Sequence, residues 1–169
     1  MRRVLALLLL GAAAGPAVAA TFVATSVEEV ARSADAVVRG RVLSANGRLS
    51  RDGRRVVTDV EIAVDHVWKG DPGPTVRLVV PGGSTGQVAM HVDAAPTFAP
   101  GEEVVVFLAR RGERWTVMGL SLGKYRVEGL DARPAVEAAD VIPRPLPQAE
   151  RAAGPMPVAE LERRVRATR

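Results

Sequence analysis

Residues 56–69 read VVTDVEIAVDHVWK, and their alternation decides the fold. Val56, Thr58, Val60, Ile62, Val64, His66 and Trp68 share one face at period two. Val57, Asp59, Glu61, Ala63, Asp65, Val67 and Lys69 share the other. Successive side chains on a strand point to opposite faces, so this pattern predicts one long β-strand, apolar inward and mostly polar outward. Gly70-Asp71-Pro72-Gly73-Pro74 then ends it with turn-forming residues.

Further strand signals lie on both sides. Residues 36–43, AVVRGRVL, are rich in β-branched side chains, and Gly40 marks a bend or bulge. Residues 46–53 carry the polar and glycine signals of a turn. Strands are expected over residues 75–80, 103–110, 114–118 and 123–128, with Arg111-Gly112-Glu113 as a hairpin connection. The run Val104-Val105-Val106-Phe107-Leu108 is almost continuously apolar, as in a central strand buried on both faces. Trp68 and Trp115 read as barrel-closing residues, since a stacking platform needs several aromatics on one open face. Strands at this spacing, with no helical pattern between them, predict a mainly all-β barrel or sandwich.

Helices are expected only near the two ends. Ser26-Val27-Glu28-Glu29 forms a capping box, in which Ser26 accepts from the backbone three residues on and Glu29 reaches back. It predicts a short capping helix over residues 27–33. Pro143, Pro145, Pro147, Pro155 and Pro157 make 143–157 a stiff linker. Beyond it, Val158, Leu161 and Val165 share one face of a C-terminal helix over 158–169. Docking on its own barrel is the expected fate, because an isolated helix this short is marginal in water.

Residues 1–20, MRRVLALLLLGAAAGPAVAA, have the basic start, apolar stretch and small-residue site of a secretory signal, with cleavage expected near Ala19 or Ala20. The apolar stretch is far short of the ~20 residues of a spanning helix, so no stable membrane anchor is expected. The address implied is periplasmic or extracellular. The chain has no cysteine, which leaves packing alone to stabilise it. The domain itself is expected over 21–142.

The sequence pI near 10.5 invites a nucleic-acid reading. Without Arg2 and Arg3, however, 21 cationic side chains face 19 anionic ones, and of the cations only Lys69 and Lys124 are lysine. Arginine does not titrate, which explains the high pI, and a near-balanced surface offers phosphates no strong field. No nucleic-acid partner is expected.

Gly82-Gly83-Ser84-Thr85-Gly86 fits G-x-S-x-G, the nucleophile elbow of serine hydrolases. An elbow needs a helix after the serine, then an acid and a histidine in chain order. Here residues 87–92 alternate, and only His91 follows Ser84 among the two histidines. Pro81 and the glycines therefore read as a turn. With two histidines and no cysteine, no metal ligand set and no cofactor are expected. Glu102 and Glu103 are adjacent, so on a strand they point to opposite faces, and they read as a turn entering the strand rather than as a catalytic pair.

The stretch Ala34-Asp35-Ala36-Val37-Val38-Arg39-Gly40-Arg41-Val42, with the later Val67-Trp68-Lys69-Gly70, resembles the start of the netrin-like module of tissue inhibitors of metalloproteinases. Pro81-Gly82-Gly83, Pro96-x-Phe98-x-x-Gly101-Glu102 and Val106-Phe107-Leu108 also resemble segments of a group of exported bacterial proteins. The resemblance covers roughly residues 34–126 and implies an OB-like barrel of five to seven strands. The inhibitors chelate a protease zinc through an amino-terminal cysteine, which this chain lacks. A cleaved Thr21 would still offer an amine and a carbonyl, with Phe22 beside it.

The resulting expectation is a non-catalytic module that binds another exported protein or an envelope component. Its candidate binding residues are Thr21, Phe22, Gly82, Gly83, Ser84 and Phe98, since binding concentrates on loops and ends. The basic tail is a further surface. The alternatives are inhibition of a secreted metalloprotease through the mature amino terminus, and a serine hydrolase acting through Ser84.

Overall fold

The strand over Val56–Lys69 forms one wall of a closed ring. A computed structural model describes residues 22–23, 25–136, 141–142, 152 and 154–168. The expected leader 1–20, Thr21 and most of the segment 143–157 lie outside these residues. The described chain runs β1 (Phe22–Val23), α1 (Val27–Ser33), β2 (Ala36–Leu49), β3 (Val56–Lys69), β4 (Thr75–Pro81), β5 (Gly83–Ser84) and β6 (Ala89–Met90). It continues through β7 (Glu103–Arg111), β8 (Arg114–Val117), a 3-10 turn (Leu120–Gly123), β9 (Lys124–Glu128), β10 (Asp131–Pro134), β11 (Val141–Ile142), β12 (Met156–Pro157) and α2 (Val158–Arg166).

Five strands close the barrel in the order β2-β3-β4-β8-β7 and back to β2. Every contact in the ring is antiparallel except β4 with β8, which run parallel at Leu78 and Trp115. A parallel pair needs a long crossover. Residues 82–113 supply it, and the candidate site lies within that crossover. The fold is the mainly β, OB-like barrel with two helices that the sequence predicts.

β7 explains why its sequence is apolar throughout. Its first half pairs with β2 on one edge and β9 on the other, and its second half pairs with β8. The sheet forks there, sending β9, β10 and β12 outside the ring. Val104, Val106 and Leu108 point into the barrel with Val38, Ile62 and Leu78. Val105 and Phe107 point outward into a second core with Val37, Tyr125 and both helices. The rings of Phe107 and Tyr125 lie 5.9 Å apart.

Both helices belong to that outer core. α1 spans its predicted residues, and Glu29 N donates to Ser26 Oγ at 3.1 Å while Ser26 N donates to Glu29 Oε2 at 2.9 Å. Ser26→Ala is expected to cost about 1 kcal/mol and Ser26→Gly only a few tenths. Thermal melting checks this: Tm should fall by about 3 °C in the alanine variant and barely move in the glycine one. α2 docks on its own domain, burying Val158, Leu161 and Val165. Arg164 of α2 grips Glu28 of α1 through Nε and a terminal nitrogen at 2.7 and 2.8 Å. That grip holds the Glu28 carboxyl below its ordinary value against the opposing effect of burial. No helix among the described residues is long and apolar enough to cross a membrane.

Three expectations need correction. Trp68 does not close the barrel. The β2–β3 register shifts at Val37/Val38 and Arg39/Gly40, passing over Trp68 and Asp65, and this breaks the alternation. Trp68 turns into the outer core, while Trp115 sits at the β4–β8 seam against the barrel core, with the Arg110 guanidinium 5.3 Å from its ring. The predicted turn over 46–53 starts too early, because β2 stays paired to Leu49 opposite Val56. Arg48 holds that extension by donating to Asp59, at 3.0 Å through its terminal nitrogen. Finally, Met156–Pro157, at the end of the segment read as linker, is strand β12 against β10.

Candidate functional site

The crossover between β4 and β7 folds over one end of the barrel. Pro81 ends β4, and Gly82 turns the chain at φ 84°, donating to Val56 O at 2.9 Å and accepting from Thr58 Oγ1 at 2.8 Å. β5 and β6 then form a separate two-stranded hairpin, Gly83 opposite Met90 and Ser84 opposite Ala89. Its tip is closed by Thr85 N donating to Val88 O at 2.9 Å and Gly86 N donating to Ser84 Oγ at 3.1 Å. No helix follows Ser84, so the G-x-S-x-G stretch is a hairpin tip. Gly47 of β2 lies directly beneath: a Cβ there would fall 2.0 Å from Ser84 O.

The chain returns through residues 93–102. Ser121 N donates to Ala94 O at 3.0 Å, Gly101 N to Val42 O at 2.8 Å, and Val42 N to Glu102 O at 2.9 Å. These bonds bring Phe98 half-buried against the barrel core. Between the hairpin and this return segment lies a cleft of about 250 Å³, whose lining includes Gly82, Gly83, Ser84, Met90, Pro96 and Phe98. Four of the six sequence-predicted residues thus meet in one place. Phe22 is paired through β1 with β11 in another sheet, and Thr21 is outside the described residues.

The cleft is nearly uncharged. Among the described residues its one titratable lining side chain is His91, 89% exposed, with Nε2 3.2 Å from Asp93 Oδ1. Ser84 Oγ is engaged by the Gly86 amide, and the imidazole by Asp93. That is not a relay from serine to histidine, which needs the two in hydrogen-bond contact. Among the described residues no cluster of histidine, cysteine and carboxylates could hold a metal ion.

Charge is instead packed behind the return segment. Lys124 of β9 has its side chain only 2% exposed and donates to Glu102 Oε1 at 2.7 Å and to Thr97 O. Its ammonium lies 4.4 Å from the centre of the Phe98 ring. Arg126 Nε donates to the same Glu102 oxygen at 2.9 Å, and Ala99 N to the other at 3.1 Å. Burial pushes the Glu102 carboxyl up, but these donors outweigh it and hold it below its ordinary value. Burial pulls the Lys124 ammonium down, with Glu102 acting against it. Sequence reasoning misses this group because Lys124 and Arg126 lie 22 and 24 residues from Glu102; the one available signal is that lysine is rare in this chain.

A second, wider groove of about 500 Å³ runs along the outer face of β2, β3 and β4. Of its three cations and three carboxylates, Arg48 faces Asp59 and Arg77 faces Glu61, the latter at 3.1 Å, while Glu113 and Arg114 complete the lining. Exposed pairs of this kind contribute little and leave no net field.

The fold defines the class of this protein: an OB-like closed barrel whose side is covered by two helices and whose end carries a neutral cleft. No protein-family model matches the chain, and no curated protein matches it significantly.

Proposed function

We propose that the chain is an exported, non-catalytic binding module whose barrel-end cleft receives an apolar side chain of another exported protein. The observation that carries this reading is the cleft wall itself: main chain at Gly82 and Gly83 facing Met90, Pro96 and Phe98, with no lysine, arginine or carboxylate among the described lining residues. Its volume of about 250 Å³ is below the ~300–1,000 Å³ usual for small-molecule pockets. An aromatic or aliphatic anchor from a protein partner suits such a space, as anchors in desolvated pockets dominate interface energetics. The leader at 1–20 supports the address. The inhibitor reading draws less support, because entry of the amino terminus into a protease cleft would require β1 to leave β11.

The test uses two substitutions at Ser84, which is exposed at the cleft mouth. Cross-linked capture from the exported fraction of the native host should yield one stoichiometric partner. Ser84→Arg fills the mouth and should weaken that partner at least about tenfold, or roughly 1.4 kcal/mol, while Ser84→Ala should bind within twofold of wild type. A partner indifferent to Ser84→Arg would remove the cleft from the reading. Labelling by a fluorophosphonate, lost in Ser84→Ala, would replace binding with hydrolysis.

A further inference from the structure

We infer that Lys124 is the positioning residue of the cleft: its buried ammonium clamps the return segment to β9 and thereby fixes Phe98 in the cleft wall. Only two of the 23 cationic side chains are lysines, and both donate to main-chain carbonyls. Lys69 Nζ donates to Ala31 O at 2.7 Å and Arg32 O at 3.1 Å, tying β3 to the last turn of α1. Lys124 does the corresponding work at the cleft. Its Nζ reaches Thr97 O, Glu102 Oε1 and the face of Phe98 at once. These contacts come from either side of the ring in sequence, Thr97 just before Phe98 and Glu102 after it.

The chemistry favours lysine over the arginine used elsewhere. An ammonium is a compact point charge with three donors, which can reach a carbonyl, a carboxylate and a ring face in different directions. A guanidinium is a planar fork, larger and built for two parallel bonds. The segment is thin: Ala95, Pro96 and Thr97 line the cleft on one side and, on the other, a second cavity of about 270 Å³ that Lys124 and Arg126 also line. The backbone bonds at Ala94, Gly101 and Glu102 hold the two ends of the segment, but its middle has open space on both sides. The clamp holds that middle at Thr97 and Phe98, and it orders the wall before any partner arrives, which lowers the ordering cost of binding.

The functional consequence rests on the proposed binding reading, so the test begins with a readout that needs no partner. The chain has three phenylalanines, and 4-fluorophenylalanine labelling gives three fluorine resonances, assigned with Phe98→Leu and Phe107→Leu. In Lys124→Met the Phe98 resonance should move toward the free amino acid and change width, while that of Phe107 in the core stays in place. Lys124→Arg should resemble Lys124→Met and not wild type.

Removing one charge of a buried pair can prevent folding, whereas replacing both with apolar residues is often tolerated. The double variant Glu102→Met/Lys124→Met therefore carries the same measurement if the single variant fails to fold. It should melt close to wild type, still show the displaced Phe98 signal, and bind any captured partner at least about tenfold more weakly. An unmoved Phe98 resonance in a folded variant overturns the inference, with or without a partner. A displaced resonance with undiminished binding upholds the clamp and removes Phe98 from the interface.

Discussion

A chain ended at Pro157 is expected to lose half or more of its stability, although it keeps all five strands of the barrel. α2 is the lid of the outer core: Val158, Leu161 and Val165 are buried among Val27, Val37, Tyr125 and Val127. Fully burying an aliphatic side chain is worth about 1.5–3 kcal/mol, so the three together contribute about 5–8 kcal/mol. That compares with a total stability of about 5–15 kcal/mol for a typical domain. The deletion also uncovers Tyr125, whose hydroxyl donates to Ala152 O and whose phenol burial pushes up. Thermal unfolding followed by circular dichroism should show Tm lowered by about 10–20 °C, or no cooperative transition. An unchanged, cooperative melt would mean that the barrel core is self-sufficient and the outer layer an accessory.

This expectation changes how the basic tail can be probed. Deleting the helix removes a core wall along with its arginines, so a lost partner would report unfolding rather than a binding site. Arg163 and Arg166 are exposed and pair within the helix to Glu160 and Glu162. Reversing those two charges alters the surface and leaves Leu161 and Val165 in place.

What the sequence made legible was local. The α1 boundaries could be read because Ser26 and Glu29 satisfy backbone groups three residues away. β3 could be read because its alternation holds from Val56 to Val64, ahead of the slips at Asp65 and Trp68. β7 could be read because a strand covered on both faces has no polar side to show. Long-range geometry was not legible. Nothing in VVTDVEIAVDHVWK says that the pairing strand slips past Asp65 and Trp68, and one slip moves a side chain from one core to the other. The glycines of 82–86 gave a turn, but not that Gly47, 37 residues earlier in the chain, would lie beneath Ser84. The convergence of Gly82, Gly83, Ser84 and Phe98 follows from the crossover that a parallel closure requires, a property of topology rather than of motif.

The barrel's closure itself is expected to fail on the smallest possible insertion, Gly40→Ala. Gly40 sits in β2 at a register shift opposite Val64, next to the Arg41–Ala63 pair. A Cβ built there lies 2.1 Å from Ala63 O and 2.9 Å from Ile62 Cγ2. A side chain could rotate away, but a carbonyl oxygen within a paired strand cannot, so β2 and β3 must separate. Overpacking of this kind costs about 1–3 kcal/mol and occasionally more, and each ladder hydrogen bond lost adds about 0.5–1.5 kcal/mol. Urea unfolding should therefore show Gly40→Ala destabilised by at least about 3 kcal/mol, and Gly40→Val no worse than modestly beyond it, since the first carbon already makes the clash. Gly112→Ala is the control. At φ 62° and with nothing within 4 Å, it tests conformational freedom without close approach, and should cost about 1 kcal/mol. If Gly40→Ala cost no more than Gly112→Ala, the β2–β3 contact would be soft enough to open at the bulge. The ring would then be held chiefly by the β4–β8 seam and the outer core, and Gly40 would serve only to bend the strand.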